Sequence, residues 1–144
     1  MSGDTARAMS QENVEIVRAS WDAWERGDME GLFALYDPEI VWDQSHYETV
    51  ELSGAVYRGH DGVKRFFREW LAPWDNYYSR ADDFIDAEDA VVVRAIQGGR
   101  GKESGVEVAA RPYWQVYWLR AGLIVRIEPY DSRARALEAV GLSE

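Results

Sequence analysis

The stretch "RPYWQVYWLRAGLIVRIEPYDSR" (residues 111–133) decides how this chain is read. Two runs rich in aromatic and β-branched residues flank Ala121-Gly122, which is the length and chemistry of a two-residue hairpin turn. With Arg120 opposite Leu123, the ladder sets Leu119 against Ile124, Tyr117 against Arg126, Gln115 against Glu128 and Tyr113 against Tyr130. Side chains alternate along a strand, so these residues share one face. Trp118 with Val125, Val116 with Ile127 and Trp114 with Pro129 make the other, purely apolar face. The mixed face has two open readings. It is the wetted side of an antiparallel sheet, or it is a cavity wall, since tyrosines present apolar bodies with polar tips. Glu128 is a surface carboxylate on the first reading and an acid/base group on the second.

Upstream of this hairpin the chain is helical first and extended later. Val14, Val17, Trp21 and Trp24 recur at helical spacing from a start near Ser10 until Gly27. Asp28 caps a short second helix carrying Leu32, Leu35 and Tyr36, closed by Asp37-Pro38-Glu39. Ile40–Asp43 reads as a first strand, and Gln44–Ala55, with no clean period, as a loop. In "YRGHDGVKRFFREWLAPW", Val63, Phe66, Phe67, Trp70 and Leu71 form one wide apolar stripe, and Pro73 ends the helix. Extended segments follow at Tyr77–Ile85 and Ala90–Ile96, around the turn "DAED", then at Val106–Leu119 and Leu123–Tyr130. "SRARALEAVGL" makes a short last helix. Helices followed by a meander of strands predict an α+β fold, a curved sheet wrapped around its helices.

Bulk properties narrow the function. The 144 residues suit a single domain over residues 10–142 after a loose polar tail, residues 1–9. The net charge of −10 disfavours nucleic acid and anionic membrane as partners. No apolar run approaches the roughly 20 residues that span a bilayer. Without cysteine there is no disulfide, thiolate catalysis or cysteine zinc site. A cytoplasmic location is the default expectation, and neither a metal nor an organic cofactor is predicted.

The order of elements, together with "VRASWDAWERGDMEGLFALYDPEIVWD", "YRGHDGVKRFF", "GRGKESGVEV" and "RAGLIVRIEPYDSRARALEAVGL", resembles the SnoaL-like branch of the NTF2-like superfamily over residues 10–142. The resemblance rests on ordinary residues and glycines, so it speaks to fold more than to activity. It implies a cone in which N-terminal helices pack into a strongly bent, mainly antiparallel sheet around a cavity, often as a homodimer through the sheet. Members include polyketide cyclases, ketosteroid isomerase and limonene-type epoxide hydrolases. Such sheets commonly aim a carboxylate into the cavity just before a Tyr/Phe-Asp ending, here Tyr130-Asp131, and Glu128 matches that position.

On this basis Glu128, Gln115 and Tyr113 are the expected catalytic group, with Trp42, Gln44, Tyr117, Arg126 and Tyr130 as ligand contacts. A glutamate in an aromatic cavity has its pKa raised from about 4.3 and can exchange protons near neutrality. Gln115 would hold it or the substrate oxygen, and Tyr113 or Tyr130 would donate to an enolate. The rival is an ion pair with Arg126, which makes Glu128 structural. The epoxide-hydrolase set is incomplete: Arg94 is followed two residues later by Ile96 rather than Asp, and Trp42-x-Gln44 stands where those enzymes have Tyr-x-Asn. Ketosteroid-isomerase roles could be given to Asp43, Tyr113 and Glu128, but no spacing requires it. The expectation is a protein that binds a small apolar or aromatic molecule, either as a cofactor-independent isomerase or cyclase acting on a carbonyl compound, or as a non-catalytic binding or dimeric accessory domain.

Lesser signals resolve to plain structure. His60 reads as a cap or surface residue, and Asp43, Ser45 and His46 are too close in sequence for triad geometry. "GGRGKESG" lacks the spacing of a phosphate loop and precedes a strand. Trp21, Trp24, Phe67 and Trp70 read as core.

Overall fold

The computed structural model describes residues 3–47 and 55–143. Its elements are helix α1 (Gly3–Arg26), α2 (Met29–Ala34), strand β1 (Tyr36–Asp43), a 3-10 turn (Gln44–His46), β2 (Val56–Arg58), α3 (Gly59–Leu71), β3 (Trp74–Ala87), β4 (Ala90–Gly101), β5 (Glu107–Arg120), β6 (Leu123–Tyr130) and α4 (Arg133–Ala139). The fold is α+β, as the sequence predicts. One six-stranded sheet runs in the order β2-β1-β6-β5-β4-β3, antiparallel except where β1 lies parallel to β6.

The helices follow from their apolar stripes. Val17 is fully buried and Trp21 nearly so, and Gly27 ends α1 with a left-handed φ of 74°. Asp28 then accepts from the Gly31 amide at 2.9 Å and starts α2. On α3 the predicted stripe buries Val63 and Phe66, and Phe66 lies 4.7 Å from the Trp42 ring. α1, α2 and α3 thus cover one face of the sheet, while Ala136 and Leu137 of α4 pack on the opposite face against Val92 and Val116.

Several boundaries differ from the sequence reading. α1 starts at Gly3 rather than near Ser10. Tyr36 opens β1 instead of closing α2, and β1 carries Pro38 at an irregular point of its pairing with β6. β2 follows directly on the segment read as a loop, whose residues 48–54 lie outside the described residues, and takes the first residues of the stretch read as helical. The glycines of "GGRG" belong to β4. Gly99 lies against the Tyr77 backbone, where an added Cβ would meet Tyr77 Cα at 3.0 Å, tighter than an ordinary contact.

The main correction concerns the last hairpin. Ala121 and Gly122 both take positive φ, 53° and 80°, as a two-residue turn requires, and Arg120 and Leu119 pair with Leu123 and Ile124 as predicted. Val125 then bulges out of the ladder. Trp118 faces Arg126, Tyr117 faces Ile127, Val116 faces Glu128, Gln115 faces Pro129 and Trp114 faces Tyr130. One extra residue on β6 inverts its faces relative to β5 from that point onward. Ile124 and Ile127, three apart, both reach the core under the helices. Arg126, Glu128 and Tyr130 go to the other side.

Candidate functional site

Between the helices and the concave face of the sheet lies a cavity with about 610 Å³ of space between atoms, its open mouth included. Successive inward positions of β5 supply Tyr113, Gln115 and Tyr117; β4 supplies Gln97, and β3 supplies Tyr77 and Ser79. Trp42, Gln44 and Pro129 close one side. Ser20, Trp21 and Trp24 of α1 with Phe66, Phe67 and Trp70 of α3 form the roof. Among the described residues, no Asp, Glu, His, Lys or Arg lines the cavity.

Most of the polar side chains inside are paired with one another. Gln115 Nε2 donates to the Tyr117 hydroxyl at 2.6 Å, and Trp42 Nε1 donates to Gln44 Oε1 at 2.9 Å. Ser79 and Tyr113 share a 2.5 Å hydroxyl pair. At the half-buried rim, Tyr77 donates to Gln97 Oε1, and Gln97 Nε2 donates to the Tyr47 hydroxyl. Trp70 packs edge-on to both rim tyrosines. The buried Trp21 Nε1–H has no hydrogen-bond partner, although it lies close enough to the Tyr117 hydroxyl to favour its ionised form.

Burial makes these tyrosines poor acids and lasting hydrogen-bond donors. Loss of hydration raises Tyr36, Tyr113 and Tyr117 well above the ordinary value of 10, and pushes Tyr77 up to about 12. Burial raises Tyr47 as well, and the Arg111 guanidinium partly offsets that rise.

The expected site residues therefore divide between two places. Tyr113, Gln115, Tyr117, Trp42 and Gln44 line the cavity. Glu128, Arg126 and Tyr130 do not, because the Val125 bulge turns them to the convex side. There they meet Asp43, which β1 delivers beside Arg126 through the parallel pairing. Arg126 Nε donates to Glu128 at 2.5 Å and its NH2 donates to Asp43 at 2.8 Å, while the Tyr130 hydroxyl donates to Glu128 at 2.6 Å. His46 stacks on Tyr130 with ring centroids 5.0 Å apart, its Nε2 3.5 Å from Glu128 and 3.6 Å from Asp43. Burial would raise the Asp43 pKa, but hydrogen bonds from Ser45 and the charges of His46 and Arg126 hold it below the ordinary value. Of the two sequence readings of Glu128, the arginine-paired one describes its surroundings.

Asp43, His46 and Glu128 offer ligand atoms within 4.8 Å of one another, a carboxylate-imidazole set with metal-binding chemistry. Arg126 already engages both carboxylates, so a cation would have to displace a guanidinium that balances them. His60, read as a cap or surface residue, sits in the first turn of α3 and bonds the Tyr36 carbonyl at 3.0 Å.

Sequence reasoning missed Tyr47, Tyr77, Ser79 and Gln97, and it assigned Trp21, Trp24, Phe67 and Trp70 to core packing alone. These four rings pack in the core and also face the cavity. Alternation along β4 from the buried Val91, Val93 and Ala95 leads to Gln97, which was the available signal.

Comparison with known proteins places this geometry. The family model described as a SnoaL-like domain matches residues 17–127. An NTF2-like protein of Burkholderia thailandensis is 26% identical, with a TM-score of 0.72 over 81% of this chain and 88% of that one. TerC, co-crystallised with polyporic acid, is 22% identical, with a TM-score of 0.71 over 90% and 98%. A Mycobacterium tuberculosis protein in complex with estradiol-17beta-hemisuccinate is 18% identical, with a TM-score of 0.67 over 85% and 95%. No curated protein matches the chain in sequence.

Proposed function

The chain belongs to the SnoaL-like family, and from that premise we propose that it binds a small ring-bearing molecule whose buried part is uncharged, inside the cone. The observation that carries this reading is the lining itself: aromatic walls, self-paired amides and hydroxyls, and, among the described residues, no ionisable group other than tyrosine. Desolvating a charge there would cost several kcal/mol on the order of an unpaired buried ion, whereas a flat apolar body gains contact with every wall. The ligands named for two structural neighbours, polyporic acid and estradiol-17beta-hemisuccinate, support a small-molecule role.

Proton transfer by Glu128 is the less favoured reading, because that carboxylate lies outside the cavity and is held by Arg126 and Tyr130. Gln115, Tyr113 and Tyr117 are ligand-orienting groups in this proposal, and Trp42 and Gln44 form one wall. The homodimer that the resemblance implies is part of the same proposal, with Val106 and Val108, exposed near the start of β5, as apolar surface available to it; light scattering tests it.

Among the described residues, no helix is long and apolar enough to cross a membrane. Titration with 9-fluorenone by calorimetry or equilibrium dialysis tests the cavity reading. Saturable binding that disappears in Gln97→Trp, where a bulky ring fills the mouth, supports it. Binding that survives this blockade places the ligand elsewhere and overturns it.

A further inference from the structure

One cation stands on the same row as the cavity residues. Arg111 pairs across the ladder with Gln97, and Ala95 pairs with Tyr113, so Arg111, Tyr113, Gln115 and Tyr117 follow one another along the concave side of β5. Tyr113, Gln115 and Tyr117 are buried and Arg111 is exposed. The row runs from the floor of the cavity out through its mouth, past the rim formed by Tyr47, Tyr77 and Gln97. Arg111 makes no salt bridge among the described residues, whereas Arg94, Arg100, Arg126 and Arg135 each hold a carboxylate. Among the described residues, Asp131 acts on Tyr47 at the rim and is paired with Arg135 at 3.6 Å.

We infer that Arg111 is a specificity residue for an amphiphilic ligand, one whose neutral rings enter the cavity and whose anionic end, a carboxylate or sulfate, stays at the mouth. The inference rests on the cavity reading above and extends it. A guanidinium offers a planar fork of donors that matches a carboxylate or sulfate. Placed in water at the rim, it adds affinity without the penalty of burying the charge. In a chain of net charge −10, it also supplies a local positive spot against a field that otherwise repels anions.

The test compares estradiol with estradiol-17beta-hemisuccinate, which share one ring system and differ by a charged tail, by equilibrium dialysis on the full chain. The wild-type protein binds the hemisuccinate about threefold to tenfold more tightly at low salt, and the preference shrinks at high salt. Arg111→Gln abolishes the preference and leaves estradiol affinity unchanged, and Arg111→Lys retains part of it. Equal affinities in the wild type, or an undiminished preference in Arg111→Gln, overturn the role of Arg111 while leaving the cavity reading intact. Failure of both steroids to bind overturns that reading and this one with it. Arg111 is exposed and unpaired among the described residues, so its variants fold.

Discussion

The two sides of β6 handle polarity in opposite ways. On the convex side, Arg126 and Glu128 join Asp43, His46 and Tyr130 in a network where each charge meets another within hydrogen-bonding or ion-pair range. On the concave side, Ile127 packs in the core and Pro129 lines a cavity whose described polar groups are all neutral. The charged cluster ties β1 to β6 through the Arg126–Asp43 pair. The neutral side keeps an open volume. Perturbed acid-base groups often mark functional sites; here the conspicuous carboxylates are paired outside the cavity, and amides and phenols line it.

Phe66→Ala is the strongest way to damage the concave side. Its ring is 4% exposed and touches Trp42, Tyr57 and Trp70. The expected loss is about 3–5 kcal/mol in urea unfolding, with weakened fluorenone binding. Arg126→Met is the matching change outside. It strands two carboxylates, and because the Arg126 side chain keeps 39% exposure, the loss should be about 2–3 kcal/mol, below that of a fully buried pair. Fluorenone affinity should be unchanged; a large drop would mean the two sides are coupled.

pH separates them as well. The lowered Asp43 pKa gives stability that is present in full above its unfolded value near 3.8 and is lost as pH falls through the lower folded value. An acid melting series should therefore show a limb below about pH 4 that Asp43→Asn flattens. The buried tyrosines act at the other end. Their raised pKa values give stability that is present below pH 10 and lost as pH rises through the folded values. Absorbance near the phenolate band should show Tyr113 and Tyr117 ionising together with unfolding rather than before it.

Gln115→Leu removes the donor to Tyr117 and should cost about 1–2 kcal/mol in stability. The smallest expected effect is at the turn that sets which residues share a side. Ala121 holds a φ of 53°, which Asn or Gly tolerates better, so Ala121→Asn should stabilise by about 0.5 kcal/mol and leave both sides intact.

The β5 half of the cavity was legible because β5 keeps strict alternation from Tyr113 to Leu119, and its large polar-tipped residues mark the inward row. The β6 half was not. A period of two carried through Val125 puts Glu128 inside, and the bulge that reverses this leaves only a faint trace, two isoleucines three residues apart at Ile124 and Ile127. Asp43 could not be matched to Arg126 from sequence either, since the β1–β6 pairing joins segments more than 80 residues apart in the chain. The helices were readable because their stripes are local. What the stripes enclose depends on the sheet opposite, so Trp21 and Trp24 were recognised as buried but not as cavity walls.

The place of β6 in the sheet also constrains how the chain assembles during synthesis. The strand made last lies between β1 and β5, so every strand made earlier belongs to one of two separate pieces, β2-β1 or β5-β4-β3, until residue 130 has emerged. Until then the apolar faces of α1 and α3 have half a sheet to cover them. Such late, long-range closure slows folding and exposes strand edges. Emergence of residues 123–130 is thus the step that joins the two pieces into one sheet.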